Sequence, residues 1–289
     1  MNPSKKVLVA YDGSSGAKGV LVDLKFAGLP SKTQVLVLSV ADVVMPPSGK
    51  RGQSILKPVP KAVQKGWAHV SQMLNRSERL AAQAARQIKS HFPKWRVASQ
   101  ALADFPAWGI IKTAQKWKAD LIAIGSHRVS GARRLILGSV SEKVVSEASC
   151  SVRVVHKIPK NKSSLKIMVG VDGSAYADYA LQEVAARSWK RGSAICLMSV
   201  IDSGVKWAAL SKSVNRHSKK LKAKGFSVTP LVKAGNPKKV LIDEANRWGA
   251  DSIFVGVRGL SLMQKILIGS VASSVAARAR SSVEVVRRL

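Results

Sequence analysis

The chain has 289 residues, of which 46% are hydrophobic and 5% aromatic, and this globular composition excludes a disordered polyelectrolyte. Lysine and arginine number 48 against 16 acids, so the formal net charge is +32, which predicts attraction to polyanions or acidic membrane surfaces. The apolar runs are too short to span a bilayer and no apolar signal region follows Lys5 and Lys6, so we expect no transmembrane segment and a cytoplasmic location.

The first predicted strand, Lys6–Ala10, leads into Asp12-Gly13-Ser14, a turn that also supplies a helix N-cap. After the second strand, residues 45–75 form an insertion whose four prolines and three glycines predict a loop or a flexible flap. Basic residues are concentrated from this insertion onward: residues 49–96 hold eleven lysines or arginines and one acid, Glu78. For any single helix, such a run also fits an ordinary solvated face.

The rest of the chain repeats this plan, which indicates two tandem domains. We place them at residues 1–156 and 165–289, with residues 157–164 as a linker. Each copy reads strand, helix, strand, helix, strand, helix, strand, loop, helix, strand. Three segments match between the copies: Lys6–Ser14 with Lys166–Ser174, Ala103–Gly125 with Ala234–Gly256, and Gly138–Val140 with Gly269–Val271.

In the second copy the apolar spacing predicts a helix over Ser174–Lys190 and another over Lys238–Arg247. Strand-like runs cover Ser193–Val200, Ser227–Val232 and Ser252–Val257. Alternation of short buried strands with helices predicts an α/β fold with two doubly wound, mostly parallel sheets in tandem. The two cysteines lie in apolar strand-like surroundings, so we expect buried thiols rather than a disulfide.

A glycine-containing loop follows the fourth strand of the second copy. It reads Gly256-Val-Arg258-Gly259, then nine residues, then Gly269-Ser270. Glycines let backbone N–H groups approach a phosphate, and the N-terminus of the next helix adds its dipole and a hydroxyl. Two plainer interpretations stay open: the glycines form tight strand–helix turns, and the aspartates of the Asp-Gly-Ser turns cap the helices that follow.

The loop of the first copy departs from this pattern, because Arg128 stands at the position of the second glycine. A non-glycine residue at a position that needs positive φ costs roughly 1–2 kcal/mol, and its side chain would obstruct a phosphate. Alternatively, Arg128 pairs with the phosphate directly. The second copy has its own departure, since Ala272 replaces Ser141 and cannot supply its hydroxyl.

These loops, the Asp-Gly-Ser turns and the segment Leu135–Val145 resemble the universal stress protein family in its tandem form, over essentially the whole chain. The resemblance implies a five-stranded sheet of the adenine nucleotide alpha hydrolase type in each domain, and a pseudo-twofold pair joined through the last strands. It also implies an ATP site, in which Asp172 lies at the adenosine end and Val200 meets the adenine. The phosphates would be held by Gly256, Gly259, Gly269 and Ser270, beside Arg258 and Val271. The corresponding positions in the first copy are Asp12, Val40, Gly125, Arg128, Gly138, Ser139, Val140 and Ser141.

We therefore predict a stress-response sensor or regulatory module that binds ATP chiefly in its second domain, with Mg²⁺ as an accompanying ion and no catalytic role. The second hypothesis is an interaction protein whose basic faces bind an acidic partner or nucleic acid. Slow ATP hydrolysis is the third, and a homodimer stays open. A Walker-type loop is absent from the sequence, and the five histidines lack metal-ligand spacing, although His127 lies in the first glycine loop.

Overall fold

The computed structural model describes residues 4–43, 61–126, 137–156, 163–202, 207–258 and 268–287. The first half contains β1 (Lys5–Ala10), α1 (Ser15–Asp23), β2 (Thr33–Ala41), α2 (Lys61–His91), β3 (Arg96–Ala103), α3 (Pro106–Trp117), β4 (Leu121–Gly125), α4 (Ser139–Glu147) and β5 (Ser151–Val155). The second half contains β6 (Lys166–Gly170), α5 (Ala175–Ala186), β7 (Ala194–Ile201), α6 (Trp207–Ala223), β8 (Ser227–Ala234), α7 (Pro237–Trp248), β9 (Ser252–Gly256), α8 (Ser270–Arg278) and β10 (Ser282–Val286). The predicted element order is confirmed in both halves.

The helix starts follow from local chemistry. The hydroxyls of Ser14 and Ser174 accept hydrogen bonds from the backbone N–H groups three residues later, each at 3.2 Å, and so cap α1 and α5. Proline occupies the first turn of α3 and of α7, where its missing N–H costs nothing. α7 ends at Trp248, and its C-cap Gly249 adopts the left-handed conformation typical of that position.

The strands of both halves form one sheet in the order β3-β2-β1-β4-β5-β10-β9-β6-β7-β8. Within each half the pairs are parallel, whereas β5 and β10 pair antiparallel at the centre. Val154 faces Val283 and Val152 faces Val285, so the ladder is symmetric about its midpoint. The predicted pseudo-twofold contact through the last strands is thus confirmed, and the two expected sheets are joined into a single sheet of ten strands.

Helices cover both faces of this sheet. On one face α3, α4, α7 and α8 share a hydrophobic core that continues across the junction of the halves. On the other face α1 with α2 and α5 with α6 cover two separate cores. Phe26, which follows α1, packs into the core of the second half, so the halves also contact each other on this face.

Two sequence predictions need correction. The proposed loop or flap at residues 45–75 is wrong for its last part, because α2 already runs from Lys61, while residues 44–60 lie outside the described part of the chain. The helix predicted over Ser174–Lys190 ends at Ala186. It stops there because Arg187 turns to extended backbone, and its guanidinium donates to the Ala27 carbonyl of the first half at 2.7 Å.

Candidate functional site

A pocket opens in each half at the carboxyl ends of the parallel strands. The strand order reverses between β1 and β4 in the first half and between β6 and β9 in the second. Open α/β sheets bind their ligands at such switch points. The cavities measure about 380 Å³ in the first half and about 340 Å³ in the second, which is within the ordinary range for small-molecule sites.

The predicted site residues converge on these pockets. In the second half the lining contains Asp172, Val200, Gly256, Arg258, Gly269, Ser270 and Val271. In the first half it contains Asp12, Val40, Gly125, Gly138, Ser139, Val140 and Ser141. Gly259, Arg128 and His127 lie outside the described residues. The structure therefore brings together every predicted residue that it describes, and it does so in both halves.

The aspartates at the first-strand ends have a defined local role. Oδ1 of Asp172 accepts a hydrogen bond from the Ser174 backbone N–H at 3.0 Å, and Asp12 does the same with Ser14 at 2.9 Å. The intervening Gly173 has a φ of +84°, which glycine adopts at low cost. The side-chain N-cap of α5 is Ser174, so the aspartate shapes the turn before the helix while its carboxylate lines the pocket.

The glycine at the end of β9 is required by helix packing. A Cβ built at Gly256 would lie 2.6 Å from the Tyr176 carbonyl carbon and 2.7 Å from its oxygen, in the first turn of α5. In the first half a Cβ at Gly125 would lie 2.5 Å from the Gly16 carbonyl carbon. Contacts this short do not occur, so these two glycines let a helix start close against the strand end. This close packing accounts for them without any phosphate.

The helices α4 and α8 begin at the pockets. Their N-cap residues, Gly138 and Gly269, share extended backbone with φ of −66°, and Ser139 and Ser270 occupy the first helical position. The first backbone N–H groups of a helix have no partners within it and carry a partial positive charge. Each pocket therefore combines a helix N-terminus with a hydroxyl side chain, an arrangement that suits an anionic group.

Ser141 differs from its counterpart in the second half. Its buried hydroxyl donates to the Gly125 carbonyl at 2.8 Å and so ties α4 to the end of β4. The proton of this hydroxyl is thus engaged within the protein, whereas Ala272 supplies no such bond in the second half.

A positive charge borders the second pocket. Arg258 lines this pocket, and its charge repels Arg287 at the end of β10. Burial lowers the pKa of Arg287 to about 10; the neighbouring Cys150 opposes this shift, and the repulsion from Arg258 adds to it. An anion placed beside Arg258 would relieve part of this repulsion.

Sequence reasoning missed a second carboxylate in each pocket. Asp42 and Asp202 line the pockets, and each stands two residues after the valine at the adenine position. The missed apolar wall includes Ile110 on α3 and its counterpart Leu241 on α7. The signal was available, because Val-x-Asp occurs at the same place in both copies.

The described part of the chain contains no cluster of three or more metal-ligating side chains. Its two cysteines are free and buried, and burial raises the pKa of each thiol to about 11. None of the helices in these ranges has the length and apolar character needed to cross a bilayer.

Comparison with known proteins agrees with the geometry. The sequence model of the universal stress protein family matches residues 3–156 and again residues 164–287. A universal stress protein of Methanocaldococcus jannaschii is 34% identical over 96 residues, which is 32% of this chain and 55% of that protein. One from Mycobacterium bovis is 24% identical over 224 residues, 72% of this chain and 75% of its own length.

A solved structure extends this similarity over the full length. The crystal structure of a universal stress protein from Archaeoglobus fulgidus aligns with 99% of both chains at a TM-score of 0.75 and 25% identity. The family model thus covers nearly the whole chain in two tandem matches, and the chain belongs to the universal stress protein family.

Proposed function

We propose that this protein binds an adenine nucleotide, ATP, at the switch-point pockets and acts as a non-enzymatic sensor or regulatory module in the stress response. The observation that carries the proposal is the convergence of an aspartate turn, the valine of the predicted adenine position and a helix N-terminus on one pocket in each half. Asp172 and Val200 would receive the adenosine end, and Gly269 with Ser270 would receive the phosphates. The free, buried cysteines fit the proposed reducing cytoplasm.

The described residues contain no cluster of three or more metal-ligating side chains, so Mg²⁺ would reach the site bound to the phosphates. The direct test is mass spectrometry of the freshly purified protein after denaturation. Co-purified ATP or ADP supports the proposal. A protein that carries no nucleotide and gives no heat signal on titration with ATP contradicts it.

We propose the second half as the main site. The two pockets share the aspartate turn, the second carboxylate and the helix N-terminus, so this preference is based on Gly259 and Arg128 in the loop sequences. Glycine lets the backbone N–H groups approach a phosphate closely, and a long side chain at that position obstructs the approach.

Two substitutions test the preference by titration calorimetry, with stoichiometry as the readout. Gly259→Arg places the first-half residue in the second loop and should abolish most ATP binding. Arg128→Gly should leave binding unchanged or add a second site. If Gly259→Arg binds like the parent while Arg128→Gly loses a site, Arg128 is itself the phosphate ligand and the first half is the working site.

A second candidate function, binding of nucleic acid, is favoured by the surface of α6. No acidic residue occurs between Asp202 and Asp243. The exposed bases on this helix are Lys212, Arg216, Lys219, Lys220 and Lys222. Several bases on one helix, with no acid in the same stretch of chain, are the arrangement that releases counterions from a phosphate backbone.

The test is the salt dependence of binding to duplex DNA. Replacing Lys219 and Lys222 with glutamine should reduce the slope of log K against log salt by about one for each phosphate that is no longer neutralised. The matched control replaces Lys143 and Lys239, which are already paired with acids four residues away. Equal effects of the two pairs of substitutions, or no retention of the parent on DNA at low salt, would reduce α6 to an ordinary solvated helix.

A further inference from the structure

An arginine and a glutamate face each other at the centre of the junction between the halves. Arg153 on β5 and Glu284 on β10 are opposite residues of the antiparallel ladder, and both are 0% exposed. They occupy the same position in the two copies, so the pseudo-twofold axis passes between them. On this axis, two identical halves would place a residue opposite its own copy. In this chain the two residues at that position carry opposite charges instead.

Arg153 is held from both halves. Its Nε and Nη2 donate to the two carboxylate oxygens of Asp23 on α1, at 2.5 and 3.1 Å. Nη2 also donates to the Ser252 hydroxyl of the second half at 2.9 Å, and Nη1 lies 3.6 Å from Glu284 Oε2. The Asp23 carboxylate in turn accepts a hydrogen bond from the hydroxyl of Ser282 on β10 at 2.7 Å.

Glu284 is neutralised from its own half as well. Its carboxylate pairs with Arg187, which follows α5 and also lies 3.5 Å from Glu183. Glu183 occupies the position on α5 that Asp23 occupies on α1, and it pairs with Lys5 of the first half. The equivalent positions Asp23 and Glu183 thus keep the same charge, whereas Arg153 and Glu284 carry opposite charges, and contacts of both sets cross the junction.

Only unlike halves place opposite charges on the axis. Two first halves joined through β5 would bring two Arg153 side chains together there, and two second halves joined through β10 would bring two Glu284 side chains together. At the edge of the cluster, Lys5 and Glu183 are 14% and 32% exposed and add a further cation to the first half and a further anion to the second. Facing like charges away from water are unfavourable, and this disfavours both like pairings.

We propose that the Arg153–Glu284 pair determines the partner of each central edge strand: β5 accepts the β10 edge and rejects a second β5. The partner surface is thus the second half of the same chain, and not the like half of another copy. One consequence is that the two switch-point pockets always occur as an unlike pair within one closed unit.

The test uses two charge reversals in the full-length chain, Arg153→Glu and Glu284→Arg. Each variant alone places like charges on the axis and cannot rebuild the junction. Mixed with each other, the chain that keeps Arg153 can pair with the chain that keeps Glu284 and restore the native contact in trans. The two variants are unfolded and refolded together near 100 μM. A high protein concentration is needed because tethering gives the internal partner an effective concentration in the millimolar range.

The expected result is a complex with one chain of each variant and twice the 30.9 kDa mass of a single chain, observed by native mass spectrometry. Co-expression replaces refolding if either variant is insoluble alone, and soluble complex should then appear only when both are present. Lys18→Glu and Glu78→Arg are the matched controls, since they reverse the same charges at exposed positions and should stay single chains. Failure to recover the mixed complex by either route, or its equal recovery with the controls, overturns the proposal.

Discussion

Replacing Gly256 with alanine separates two explanations of the strand-end glycine. If the glycine serves only to admit a phosphate, the substitution should weaken nucleotide binding and leave the fold unaffected. The geometry predicts otherwise, because the added methyl group would lie 2.6 Å from the Tyr176 carbonyl carbon and 2.7 Å from its Cβ. Neither neighbour is the mobile end of a side chain, so α5 itself must move away from β9.

The magnitude follows from the kind of contact. Forcing a methyl group into a packed interior typically costs about 1–3 kcal/mol, and a rigid backbone neighbour favours the upper part of that range. For a folding unit of about 150 residues this corresponds to a fall in Tm of roughly 2–12 °C. Because α5 carries the turn that contains Asp172, we expect ATP binding to weaken as a result of the same movement.

The assay is urea unfolding without nucleotide, followed by titration with ATP. Gly170→Ala is the matched control, because its methyl group would meet side-chain ends, Leu241 at 3.0 Å and Val255 at 3.2 Å, and the first half has Ala10 at the same position. The control should cost less than Gly256→Ala, because side-chain ends can move aside and a helix backbone cannot. A Gly256→Ala protein that unfolds at the parent's urea concentration but no longer binds ATP would refute the packing explanation.

Two further predictions concern single contacts. Burial raises the pKa of Glu183, but the attraction of Lys5 and Arg187 outweighs this effect and leaves the pKa below the ordinary 4.5. The Glu183 carboxylate therefore stabilises the fold above pH 4.5, and this contribution is lost as the pH falls through the lowered pKa. Lys5→Met should therefore move the onset of acid unfolding to higher pH, as measured by circular dichroism along an acid titration. An unchanged onset would show that the ion pair is unimportant. Ser141→Ala removes the 2.8 Å hydrogen bond to the Gly125 carbonyl and should lower the free energy of unfolding in urea by about 1–3 kcal/mol without changing the affinity for ATP. A loss of ATP affinity without destabilisation would make the hydroxyl a ligand instead.

The residues that line the pockets could be predicted because the two copies repeat the same pattern. Strand ends in a parallel sheet lie at one edge, so residues after β6 and β9, such as Asp172 and Gly256, had to come close once the strands were recognised. The reason for Gly256 was not visible, because the first turn of α5 approaches it only in three dimensions. The extent of α2 was missed for a different reason: prolines and glycines at 46–60 hid the helix that begins at Lys61.

The central charge pair could not have been derived from either copy alone. Arg153 and Glu284 each stand in the middle of a short valine-rich strand, where an isolated charge on an otherwise apolar run normally indicates an exposed edge. They become compatible with burial only when β5 and β10 pair in the observed register, with Asp23 and Arg187 arriving from the helices. The repeat reveals the switch-point pockets through residues that match between the copies, and it reveals the junction through residues that differ. Where two copies pair across an axis, opposite charges at the position on that axis can select unlike pairing.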